Sequence, residues 1–229
     1  MPTDMSMNED LYQLMTWMSP SYPVGAYSFS HGLENAVESG LVTDVESTRN
    51  WIKNLLTVGD GHADLVFLAA AWSADDDEEQ LREVHELALA FQPSAEIHVE
   101  TTAQGVAFMK TTAAAWPCRN IELLEQIANG PVAYPVVVGS VARSHGVSRD
   151  ATLLAYGHAF VANLVSAAVR LIPLGQTDGQ KITSWLHTHV SAAVAHASTT
   201  PLQLVTSSCV MADIASMQHE VQYTRLFRS

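Results

Sequence analysis

An all-helical fold of about nine to eleven helices is predicted from three features of the sequence. Aromatic residues are few, at 7%, and alanine is abundant, a composition that suits close-packed helices better than a sheet. Period-2 alternation of apolar and polar residues never lasts for a strand length. One stretch, Ala151 to Val169, holds no Asp, Glu, Lys or Arg, and the run it belongs to stops at Pro173, which cannot continue a helix. With 229 residues and no Pro/Gly/Ser-rich linker, the expected organisation is a single domain, 1–229, able to bury a substantial core.

The elements follow in order. Residues 9–18 place Leu11, Leu14, Met15 and Met18 on one helical face. Two prolines and a glycine then make 19–34, SPSYPVGAYSFSHGLE, a shaped loop that offers Tyr22, Tyr27 and Phe29. Ser30 can cap a helix ending at Gly40. Thr43 and Glu46 have capping-box spacing, opening a helix closed by Gly59. Further helices are expected at 62–73, from the acidic run DDDEE to Phe91, at 95–115 with Gly105 as a weak point, at 120–128, and at 134–145 with Pro135 in the first turn. The long helix near 149–172 is the expected buried centre, with Ser148 as N-cap and Asp150 against the positive dipole end. LIPLGQTDG, 171–179, reads as a turn, 180–197 as a helix, and 201–216 as helical in parts.

The central helix carries one polar stripe. At 100° per residue Thr152, Tyr156, Asn163, Ser166 and Arg170 share an arc of roughly 80°. Such a stripe faces water and hydrogen-bonded loops, or else a subunit seam or wet passage. His158 lies off it and reads as a hydrogen-bonded core residue. Tyr, His, Asn and several hydroxyls interrupt the run, and no basic cluster flanks it, so a membrane span is not expected.

Charge and missing motifs exclude several functions. The formal net charge is -13, which disfavours nucleic acid and anionic membranes as partners. Residues 1–100 hold 18 acidic and 3 basic side chains, whereas 101–229 hold 6 and 8, so the second half is better suited to an acidic partner. Cys118 and Cys209 are the only cysteines and form no Cys-x-x-Cys pair. There is no phosphate-binding G-x-x-x-x-G-K-[ST] loop, no G-x-S-x-G elbow and no H-E-x-x-H pair. His187 and His189 fall on different faces of a helix and do not chelate. His31 and Glu34, one turn apart, could form a base and its orienter, but no nucleophile accompanies them. No catalytic residue, metal site or cofactor is therefore expected. The acidic N-terminus has no signal pattern, which makes the cytoplasm the expected location.

Three strings exceed what helix packing requires: the proline-rich loop, the LIPLGQTDG turn, and the terminal MQHEVQYTRLFRS. The last joins Tyr223, Leu226 and Phe227 to Arg225 and Arg228 and reads as a docking tail at about 217–229. SPSYPVGAYSFSHGLE, YPVVVGSVAR (134–143), AFVANLVSAAVRLIPLGQTDGQ (159–180) and HEVQYTRLFRS, in this order, closely resemble the urease accessory protein UreF family over essentially the whole chain. Gln218 and Val221 stand where the family pattern has Arg and Thr, removing one positive charge from the tail. The resemblance implies an all-helical homodimer without chemistry of its own. It implies binding to the accessory protein UreD, also called UreH, recruitment of the GTPase UreG, and delivery of nickel to apo-urease. It further implies a tail that orders when the second accessory protein binds. Tyr27, Phe29 and His31 match the family's loop, and Arg225, Phe227 and Arg228 its tail, so these six with Tyr223 and Leu226 are the candidate partner-binding residues. An alternative reading is a regulator of GTP hydrolysis by UreG.

Overall fold

The computed structural model describes residues 3–229, with side chains from Glu9 onward. Its helices are α1 (Thr3–Trp17), α2 (Leu33–Glu38), α3 (Val45–Val58), α4 (Asp60–Ala74), α5 (Glu78–Ala90), α6 (Ala95–Ala115), α7 (Arg119–Ile127), α8 (Tyr134–Ser144), α9 (Arg149–Leu171), α10 (Gln176–Ala197) and α11 (Val210–His219). Two single 3-10 turns, Ala26–Ser28 and Leu202–Leu204, complete the list, and there is no strand among the described residues. The all-helical expectation holds.

Helix boundaries follow local chemistry. The capping box of α3 sits one residue later than expected: Asp44, extended at φ -152°, accepts the Ser47 N–H at 2.8 Å, and the Ser47 hydroxyl accepts the Asp44 N–H at 3.0 Å. A short carboxylate reaches the N3 amide as well as Thr43 would, and a serine at N3 returns the bond in place of Glu46. Asp77 and Ser94 cap α5 and α6 by accepting the Gln80 and Ile97 N–H groups, without the return bond to their own backbone. Pro135 stands in the first turn of α8, where its missing N–H costs nothing. α10 starts four residues earlier than the 180–197 expectation. Gly175 supplies an extended N-cap, and Asp178 in the first turn pairs with Lys181 at 3.1 Å, so most of the GQTDG string is helix rather than turn.

The centre is shared by α4 and α9. α4 packs most extensively against α8 and also touches α3, α5, α9 and α10; eleven of its fifteen residues are buried, including Leu65, Phe67 and Leu68. α9 crosses the same core. It is the one described helix long and apolar enough to span a membrane, but half of its apolar window is buried in protein. Gly105 is no weak point of α6, because a Cβ there would lie 1.9 Å from the Val132 carbonyl oxygen, and only glycine lets that backbone cross so closely. A main apolar core runs from Leu14 to Ala212. A second, smaller one joins Leu33, Ala36 and Val42 to Ala167, Ala168 and Ile172 at the end of α9, Ala215 of α11, and Phe227. That smaller core fixes the C-terminal segment to the body.

Candidate functional site

Loop 19–32 enters the body through a strained turn. His31 and Gly32 have φ of 58° and 76°, a left-handed pair that a non-glycine residue adopts at a cost of about 1–2 kcal/mol. Gly32 is required twice over, since a Cβ there would also meet the Ser216 backbone nitrogen at 2.9 Å. The turn aims Ser30, His31 and Glu34 inward, all three buried.

The tail folds back onto this turn. Arg228 N–H donates to the Ser28 carbonyl at 2.8 Å and Ser30 N–H to the Ser229 carbonyl at 2.9 Å, with the Ser30 hydroxyl donating to the same carbonyl. Glu34 accepts the Leu226 and Phe227 amides at 2.7 and 2.8 Å. His219, 0% exposed, lies between two carboxylates, Glu34 at 3.0 Å and Glu96 at 2.7 Å. Glu96 is also paired with Arg225 at 3.0 Å. Buried charges are held this way because each is met by an opposite charge or a donor. Two cations cover the aromatic anchors: Arg170 stands 4.2 Å over Phe227 and Arg228 5.3 Å over Phe29.

Behind the turn lies a cavity of about 220 Å³, lined by His31, Asp60, Asp64, Glu100, Tyr134 and Tyr156 among others. His31 Nε2 is 3.2 Å from Asp60, and Nδ1 is 3.4 Å from Glu100, an ion-pair distance without good hydrogen-bond alignment. Burial alone would lower the His31 pKa, but the Glu100 and Asp60 carboxylates together outweigh it and hold it well above the usual imidazole value. Burial raises Asp64 to about 7, opposed by the Tyr156 hydroxyl that donates to it at 2.7 Å. Burial, with the neighbouring Asp64, also pushes the Tyr156 phenol upward. The Ser229 hydroxyl donates to Glu100 at 2.6 Å, joining tail and cavity wall.

The candidate residues divide into two groups. Tyr27, Tyr223, Arg225, Leu226 and Arg228 are exposed. Phe29, His31 and Phe227 are buried anchors, so the loop does not offer Phe29 to solvent; nor does it offer Tyr22, whose hydroxyl bonds Thr112 at 2.8 Å in the core. The polar stripe does not face one surface. Thr152 is buried and donates to its own helix, Tyr156 reaches Asp64, Asn163 donates to the Phe29 carbonyl at 3.2 Å, Ser166 is exposed, and Arg170 donates to the Tyr27 carbonyl at 2.9 Å. Asn163 and Arg170 thus hold the loop.

His158 is exposed rather than a core residue, because it borders the cavity instead of packed side chains. His31 and Glu34 do not pair: the first turns to α4 and α6, the second to the tail. No cluster of three or more potential metal ligands occurs among the described residues. Sequence reasoning missed Asp60, Asp64, Glu96, Glu100 and His219. The signal was there in the two acid pairs, each spaced one turn apart within apolar helices.

The profile of the family described as UreF matches residues 42–187. The chain is 50% identical over 230 residues to the urease accessory protein UreF of Rhodopseudomonas palustris strain BisB5, covering 100% of this chain and 95% of that relative. It is 46% identical over 221 residues to the protein of the same name from Bradyrhizobium diazoefficiens, covering 96% and 91%. With the one from Methylorubrum populi, identity is 42% over 222 residues, covering 96% and 99%. A match of this identity over nearly the full length carries the loop, the central helices and the tail together, and the chain belongs to the UreF family of urease accessory proteins.

Proposed function

We propose that this chain is a non-catalytic scaffold of urease maturation, working in the cytoplasm as a homodimer. It binds the accessory protein UreD/UreH, and the pair recruits the GTPase UreG so that nickel enters apo-urease. One observation supports a docking role above the others. α11 exposes Val210, Met211, Ile214 and Met217 at 61, 53, 39 and 49%, a stripe at helical spacing that continues through exposed Val221, Tyr223 and Leu226 of the tail. Monomeric proteins rarely leave so long an apolar band uncovered, and methionines adapt readily to a partner surface.

The seated tail carries this band beside Arg228, whose guanidinium reaches no carboxylate among the described residues and is free to meet one on another protein. The test is a pull-down of UreD/UreH by the double variant Met211→Asp, Ile214→Asp, with light scattering on the free chain and on the mixture. Loss of capture with helical circular dichroism unchanged is expected, and undiminished capture sinks the reading. GTP turnover by UreG, measured with and without this chain, tells whether Arg228 also serves a regulatory role.

A further inference from the structure

We propose that seating of the tail sets the charged wall of the cavity: residues 225–229 hold Glu100 and the His31 turn in place, so tail and cavity change state together. The connection is continuous. The Ser229 hydroxyl donates to one Glu100 oxygen at 2.6 Å, and the other Glu100 oxygen lies 3.4 Å from His31 Nδ1. The Ser229 carbonyl takes the Ser30 N–H, one residue before His31. His31 passes the connection to Asp60, and Asp64 stands one turn further along α4 with Tyr156 on it. His31, Asp60, Asp64, Glu100 and Tyr156 all line the cavity, while no residue of 225–229 does, so the tail acts on the wall from behind.

Two features make this a two-state device. The tail is attached by a segment, 220–224, that forms no helix or strand and leaves Val221 and Tyr223 at 86 and 102% exposure; among the described residues only the Ala95 N–H to Glu220 and the Asn35 amide to Gln222, each at 3.2 Å, tie its side chains to the body, so 225–229 is joined to α11 by few bonds. His31 is held in a left-handed conformation against its own preference, so a turn that loses the Ser229 bonds has a reason to relax. With the tail lifted, water reaches Glu100 from the back and the His31–Glu100–Asp60 grouping loses its dry setting, where charges interact most strongly. The proposal stands whichever protein meets the tail. Such coupling is reciprocal: a change in the wall loosens the tail as much as loss of the tail changes the wall.

Both directions are measurable on the full-length chain. The imidazole signals of His31 are followed by nuclear magnetic resonance in the parent, in Ser229→Ala and after removal of 225–229, with His187, exposed on α10 and outside the cavity lining, as the internal control. The His31 signals shift while those of His187 stay. In the other direction, trypsin cleavage of the Arg225–Leu226 bond is timed by mass spectrometry in His31→Gln and Glu100→Gln. Cleavage accelerates about fivefold or more, the lower range of ordinary coupling between sites, at unchanged helical circular dichroism. If His31→Gln fails to fold, Glu100→Gln and the Ser229→Ala spectra decide. His31 signals identical with and without the tail, or cleavage unchanged in the folded variants, overturn the proposal.

Discussion

Glu34 satisfies three donors with one carboxylate, two tail amides and the His219 ring. Removing it would leave a buried imidazole and two amides without acceptors. Of the candidate residues, Arg225, Phe227 and Arg228 stood out in the sequence because guanidiniums and an aromatic are unusual in an acidic chain. Which way they face was not legible, since that depends on Glu34 and Glu96, nearly 200 and 130 residues away along the chain. Asp64 gives a prediction in pH. Its carboxyl rises from 3.8 to about 7 on folding, so the folded chain keeps a proton that the unfolded chain releases, and stability falls as pH climbs between those values. The raised His31 acts in the same sense at higher pH: the stability it contributes is complete below 6.5 and is lost as pH rises through its folded value. Asp64→Asn keeps an oxygen for the Tyr156 hydroxyl and carries no charge. The expected result is a melting temperature that rises at pH 8 and a flatter profile between pH 4 and 7, read by thermal denaturation.

Helices were legible where glycine or proline punctuates them. α6 runs over 95–115 as expected, α3 closes at Gly59, α8 carries Pro135 in its first turn, and α9 ends before Pro173. Misjudged starts came from residues with two uses: Gly175 and Asp178 serve a turn or a helix N-terminus equally well, and the packing of α10 on α9 selects the helix. The polar stripe of α9 was visible by periodicity, but the targets of Asn163 and Arg170 were not, because they are backbone carbonyls of a loop 134 and 143 residues upstream. Asn163→Leu removes the donor to the Phe29 carbonyl. A hydrogen bond of this kind contributes about 0.5–1.5 kcal/mol, and an acceptor left dry costs somewhat more. The helix therefore stays folded while the loop loosens. The expected outcome is impaired urease activation at unchanged circular dichroism, with faster amide exchange across 26–31; normal activation and normal exchange would leave Asn163 without a role.

For the molecule as a whole, the segment 220–229 contributes neither helix nor strand. Removing 225–229 exposes the smaller core by withdrawing Phe227, a loss of about 1.5–3 kcal/mol for a large apolar side chain. Helical circular dichroism should keep its magnitude, and the melting temperature should fall by roughly 3–12 °C for a chain of this size. A loss of half the helical signal would mean that the tail supports the entire fold. The all-helical class and the distinctive loop and tail were legible because composition, punctuation and motif are local properties. The buried charge network was not, since it forms only when α2, α4, α6, α11 and the tail converge. That convergence also has a bearing on biosynthesis. Glu34, Glu96 and Glu100 emerge from the ribosome long before residues 219–229 that bond and cover them, so a nascent chain stalled short of that point carries an open acidic cleft. Ser229 is itself 0% exposed, so a large side chain there, as in Ser229→Trp, should pry the cleft open again.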